Sequence, residues 1–66
     1  MTTTMTTGEK IKAARVAAKL SQEALGKRSG IHQGDLSKLE AGICEPRLKT
    51  LRKIAKGLGI DVKELV

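Results

Sequence analysis

Leu20-Ser21-Gln22-Glu23-Ala24-Leu25-Gly26-Lys27-Arg28-Ser29-Gly30-Ile31-His32-Gln33-Gly34-Asp35-Leu36-Ser37-Lys38-Leu39-Glu40-Ala41-Gly42 holds two short helical patterns separated by a glycine. Ser21 suits a helix N-cap, because its hydroxyl can accept an amide hydrogen that the first turn leaves without a partner. Gln22 and Glu23 occupy that first turn, and Gly30 is the natural stop, since glycine enters the left-handed region at no steric cost. Ile31 then returns the chain to the core. Leu36 and Leu39, three apart, mark the inner face of a following helix that begins near His32 and ends where Gly42 supplies a second left-handed cap. The spacing predicts two helices, over about 21–29 and 32–41, joined by a tight turn.

On the N-terminal side, Thr6 and Glu9 make a capping box that starts a helix running to about Lys19, with Ile11, Ala14 and Ala18 on one face. Leu20 follows and adds bulk to this thin face. Residues 1–7 are Thr-rich without apolar periodicity and are expected to be a disordered N-terminal tail. On the C-terminal side, Ile43 to Pro46 forms a loop, because proline lacks an amide hydrogen and disfavours helix in the residue before it. Leu48, Leu51, Ile54, Ala55 and Leu58 recur at three- and four-residue spacing, the clearest amphipathic helix in the chain, and Gly57 and Gly59 end it. Ile60 packs beneath, and Asp61 with Glu64 reads as a second capping box before a final helix of barely two turns bearing Val62 and Leu65.

No alternation of period two and no hairpin dipeptide occurs. The fold class is therefore all-α, a compact bundle of five short helices containing a helix-turn-helix, with residues 8–66 as the domain. Its 66 residues allow one domain that buries only about 60% of its unfolded surface. With no Phe, Tyr or Trp, the core must come from aliphatic side chains.

Thirteen Lys and Arg against seven Asp and Glu give a formal net charge of +6, which implies a polyanionic partner. No apolar run approaches the ~20 residues of a spanning helix and no signal-peptide pattern is present, so a cytoplasmic protein without a membrane partner is expected. Cys44 is the single cysteine, which excludes an internal disulfide and a cysteine-based zinc cluster. One histidine, no glycine-rich phosphate loop and no nucleophile beside a base argue against an enzyme. No cofactor or metal is expected.

Leu20-Ser21-Gln22, Leu25, Gly30-Ile31, Leu36, Leu39-Glu40, Gly42 and Pro46, followed by Leu51, Ile54-Ala55 and Leu58-Gly59, carry a resemblance. Over about residues 8–66 the chain resembles the phage Cro and cI repressor (XRE) family of helix-turn-helix DNA-binding domains. The resemblance implies a transcriptional regulator of repressor type, with 21–29 as the scaffold helix and 32–41 as the recognition helix in the major groove of double-stranded DNA. Gln33 is the leading base reader, because a carboxamide donates and accepts at once and pairs bidentately with adenine. His32, Ser37 and Lys38 share its outward sector. His32 has the alternative role of N-cap, and Lys38 can reach guanine or a phosphate. Gly34 stands where the family places a polar side chain. It leaves open a close approach of backbone to DNA or a smaller share of direct base contacts.

The same resemblance places Ser21 and Gln22 at a phosphate-facing helix start, with Gln22 also bracing the first recognition residue. It places Arg47 where relatives enter the minor groove, although a solvated helix-start arginine fits equally well. Lys10, Lys12, Lys49 and Lys53 are further candidates for the phosphate backbone, and Glu45 opposes it. Arg15 and Glu40 fall where the family joins the first and third helices by an ion pair. Departures are Lys19 in place of a usual Gly or Asn, Gly26 in place of Ala, and Ser29 and Ala14 in place of larger apolar residues. The family implies a homodimer on a near-palindromic operator, with Ile43, Cys44, Ile60, Val62 and Val66 as interface candidates. The alternative is a protein-interaction module on the same fold, such as an antitoxin, which would need a protein partner not named by the sequence.

Overall fold

The computed structural model describes residues 5–66, so the part of the expected tail at residues 1–4 lies outside the described residues. Four α-helices follow one another: α1 (Thr7–Ala17), α2 (Gln22–Ser29), α3 (Gln33–Glu40) and α4 (Leu48–Leu58). The fifth expected helix is instead a 3-10 turn, Val62–Glu64. Its backbone bonds run from Glu64 to Asp61 and from Leu65 to Val62, both i to i−3, and three residues give no room for a 13-atom α ring. The second capping box is likewise not formed, because the Asp61 carboxylate accepts the amide hydrogen of Lys63 at 3.0 Å rather than that of Glu64.

The first capping box is complete. Thr6 Oγ1 accepts from the Glu9 amide at 3.2 Å, and Glu9 Oε1 accepts from the Thr6 amide at 2.9 Å. That backbone donor, with the Thr6 hydroxyl adding to it, holds the exposed Glu9 carboxyl below its ordinary value of 4.5. Thr7 consequently opens α1, a residue earlier than the expected edge of the domain. At its other end α1 stops at Ala17, short of Lys19, with Ala18 as an exposed C-cap outside the core. Lys19 takes φ 59°, the left-handed conformation that a glycine would adopt freely.

Ile11, Leu25, Leu36, Ile54 and Leu65 are completely buried, and Leu39, Leu51, Ala55 and Leu58 close the core around them. Ala14, Leu20, Ile31, Ile60 and Val62 pack at its margin. α4 lies chiefly against α2, while α1 crosses α3. Gly8 permits that crossing: a Cβ there would collide with the carbonyls of Leu39 and Glu40. Leu48 departs from its expected place on the core face, being 51% exposed. Helical side chains lean toward the N-terminus, so one at the first helical position overhangs the end of the layer it was assigned to.

Arg15 spans the junction of α1 and α3. Its Nε donates to Glu40 Oε2 at 2.8 Å and its Nη2 to Glu40 Oε1 at 3.1 Å. Nη1 donates to the Leu20 carbonyl at 2.8 Å, fastening the turn after α1 to the same pair. The side chains are only 12% and 3% exposed, so the two charges and their hydrogen bonds act as one unit inside the fold.

Candidate nucleic-acid interface

The start of α3 is set by two features of α2. Gly30, at φ 74°, ends α2 in the left-handed conformation, and its amide and that of Ile31 both donate to the Gly26 carbonyl. Gly26 then lets the chain return at van der Waals distance. A Cβ on it would sit 2.7 Å from the Ile31 carbonyl oxygen and 3.6 Å from the Gln33 nitrogen. Leu36 and Leu39 anchor the inner face of α3 in the core, which turns the opposite sector to solvent.

On that sector His32, Gln33, Gly34, Ser37 and Lys38 are all exposed. His32 is the N-cap in backbone conformation only, since its side chain makes no capping hydrogen bond. A Cβ on Gly34 would meet no atom within 4 Å. An open cleft of about 370 Å³ runs beside the start of α3, and it brings His32 and Lys38 together with Arg47 and Lys53 from α4 and its N-cap. Asp35 and Glu45 line the same cleft, so it carries both signs of charge, and the expected opposition of Glu45 to a phosphate has a defined place.

Ser21 caps α2 through its side chain, which accepts from the Ala24 amide at 3.0 Å. Gln22, which the resemblance puts against a phosphate and Gln33, is half-buried, and its Nε2 donates to Glu40 Oε1 at 3.3 Å. A carboxylate only accepts, so the Gln22 amide group must turn its NH2 inward, and its carbonyl oxygen faces away from Glu40. Periodicity carries no signal for this partner, 18 residues away. Lys10 donates to the Val66 carbonyl at 2.9 Å and so has a protein partner. Lys12 lies on a separate, open depression of α1 with Met5, Ala13 and Val16, whereas Lys49 is exposed on α4.

The interface candidates divide into two groups. Ile43 is 72% exposed, Val66 62%, and Cys44 is exposed beside Ile43, while Ile60 and Val62 pack against the core. Leu48 joins the exposed group, a residue whose helical spacing concealed its position. Among the described residues no group of three or more His, Cys, Asp or Glu side chains is placed to hold a metal ion, and no helix is long and apolar enough to cross a membrane.

A family model described as helix-turn-helix matches residues 11–65. The HTH-type transcriptional regulator y4dL of Sinorhizobium fredii is 39% identical over 54 residues, covering 82% of this chain and 28% of that protein. The immunity repressor protein of Bacillus phage phi105 is 37% identical over 62 residues, covering 94% of this chain and 43% of that protein. The chain thus spans less than half the length of either relative. Among solved structures, the restriction-modification controller protein C.AhdI of Aeromonas hydrophila superimposes with a TM-score of 0.87 at 32% identity, over 91% of both chains. The P22 c2 repressor protein, solved in complex with a synthetic operator, superimposes with a TM-score of 0.85 at 33% identity, over 96% of both chains.

Proposed function

The chain belongs to the helix-turn-helix family, in its Cro and cI repressor-like branch, and from this we propose that it represses transcription by binding a short near-palindromic operator as a homodimer. The observation that carries the reading is the outward sector of α3, where polar side chains and one glycine stand exposed above an inner face locked by Leu36 and Leu39. A rigid helix presented in this way fits the major groove, and its first turns meet the base edges. The likeness to a repressor solved on operator DNA supports the same orientation for this chain.

In this reading Gln33 pairs with adenine N6 and N7, while Ser37 and Lys38 contact neighbouring base edges or phosphates and His32 stands at the leading end. Ser21 and Gln22 face the backbone from the start of α2, where Gln22 offers its main-chain amide hydrogen because its side-chain NH2 is held by Glu40. Arg47 enters the minor groove beside the half-site, and Lys12 and Lys49 add phosphate contacts. Lys10 contributes only if it leaves Val66. Two copies joined through Ile43, Cys44 and Val66 would place their reading helices about one DNA turn apart, roughly 34 Å, and a bound dimer would exclude polymerase from an overlapping promoter.

Selection of bound sequences from randomised duplex DNA, with wild type and Gln33→Ala in parallel, tests the reading. Wild type is expected to enrich a two-fold symmetric site. Gln33→Ala should weaken binding by about 1–3 kcal/mol and relax the preference at one base pair per half-site. Unchanged preference in the variant would remove Gln33 from this role, and no enrichment by wild type would remove the function.

A further inference from the structure

The positive charge of this protein does not lie on its reading helix. Residues 20–45, the helix-turn-helix and the loop behind it, carry Lys27, Arg28 and Lys38 against Glu23, Asp35, Glu40 and Glu45, one net negative charge. Residues 46–60 carry Arg47, Lys49, Arg52, Lys53 and Lys56 and no carboxylate, and so hold five of the chain's six net positive charges. A groove reader whose own motif is slightly acidic needs its phosphate attraction from elsewhere.

The fold gathers these cations into a stripe. Lys49, Arg52, Lys53 and Lys56 are all exposed. At 3.6 residues per turn they fall within an arc of about 100°, spread along about 10 Å of the axis. The arc lies opposite Leu51, Ile54, Ala55 and Leu58, which face the core. Among the described residues none of the four has a carboxylate within salt-bridge distance; the ion pairs are Arg15 with Glu40 and Lys27 with Glu23. A helix that served only solubility would mix the two signs, because four like charges on one face repel one another. The stripe is also continuous with the candidate reading face, since Lys53 lines the cleft that Lys38 and Arg47 share.

We infer that the exposed face of α4 is a second DNA-binding surface, which holds duplex DNA by its phosphates without regard to sequence. The inference rests on the proposed function only in taking duplex DNA as the partner. α4 then supplies most of the affinity for non-operator DNA, while α3 supplies the discrimination between sequences. The complementary charge of the phosphate track and the continuity of the stripe with the reading face select this occupant.

The test uses a labelled duplex pool of randomised sequence and the full chain, with binding followed by fluorescence anisotropy across salt concentration. The Arg52→Gln and Lys56→Gln double variant removes two stripe charges; a Lys19→Gln and Lys63→Gln double removes two exposed charges elsewhere. With about 0.9 in the log–log salt slope for each phosphate neutralised, the stripe double should flatten the slope by about 1.8, and Arg52→Gln alone by about half of that. The control double should keep the wild-type slope, and the sequences enriched from the pool should be the same for all variants. An unchanged slope in the stripe double would overturn the inference and leave α4 to an acidic partner. Equal flattening in the control would also overturn it, by making net charge rather than its position the cause. Failure of wild type to enrich any sequence would count against α3 alone, because the slope measurement does not depend on it.

Discussion

Lys19 is held at φ 59° by the way α1 ends. The Lys19 amide donates to the Val16 carbonyl at 2.9 Å and the Leu20 amide to the Arg15 carbonyl at 3.1 Å, the paired bonds that require a left-handed residue between them. An L side chain costs about 1–2 kcal/mol in that conformation, whereas glycine costs only its extra freedom in the unfolded chain, about 0.4–1 kcal/mol. Lys19→Gly is therefore expected to stabilise the protein by about 0.5–1 kcal/mol, read from the urea midpoint at constant m-value. The Arg15–Glu40 pair has the opposite sensitivity. Arg15→Ala leaves a carboxylate that is 3% exposed without its cation and should cost about 3–5 kcal/mol, enough to unfold much of a small domain. Replacing both residues by Met removes both charges together and should cost clearly less in the same denaturation experiment.

Two glycines make α2 and α3 respond differently to one change. In Gly26→Ala the added methyl would lie 2.7 Å from the Ile31 carbonyl, so the turn that aims α3 must shift. Overpacking of about 1–3 kcal/mol, offset by about 1 kcal/mol of better helix propensity, predicts a net loss of up to about 2 kcal/mol. Gly34→Ala meets open space on the exposed side of α3 and should gain about 0.5–1 kcal/mol. Thermal unfolding of the two variants checks the contrast in sign. Binding of Gly34→Ala to the selected operator then decides its role: lost affinity places DNA against the backbone at 34, and retained affinity gives the base contacts to its neighbours.

Among the described residues the core consists of nine aliphatic side chains without an aromatic ring, which is thin, so association through exposed apolar surface would add usefully to stability. Ile43, Leu48 and Val66 supply such surface. Ile43→Ser removes apolar area without touching the buried core. In the proposed dimer it should leave the circular dichroism spectrum unchanged, shift sedimentation toward the monomer, and lower operator affinity about tenfold or more. A variant that sediments and binds as wild type does would remove Ile43 from the interface.

Features that depend on near neighbours in the chain are legible from residue order alone. Thr6 with Glu9, Ser21, Gly30, Gly42 and the Leu51-Ile54-Ala55-Leu58 spacing located four helices, because caps, left-handed turns and 3.6-residue periodicity are set within a few residues. The outward sector of α3 was legible for the same reason, and the Arg15–Glu40 contact through the family pattern. Which surfaces meet is fixed by the packing of the helices against one another. The 3-10 turn at Val62–Glu64, the exposure of Ala18 and Leu48, the Gln22–Glu40 hydrogen bond and the close approaches at Gly8 and Gly26 all depend on partners or layer edges distant in the chain. Local propensity says that a helix forms and which face is apolar; close packing against a particular neighbour fixes where that face ends and what its polar margin must touch.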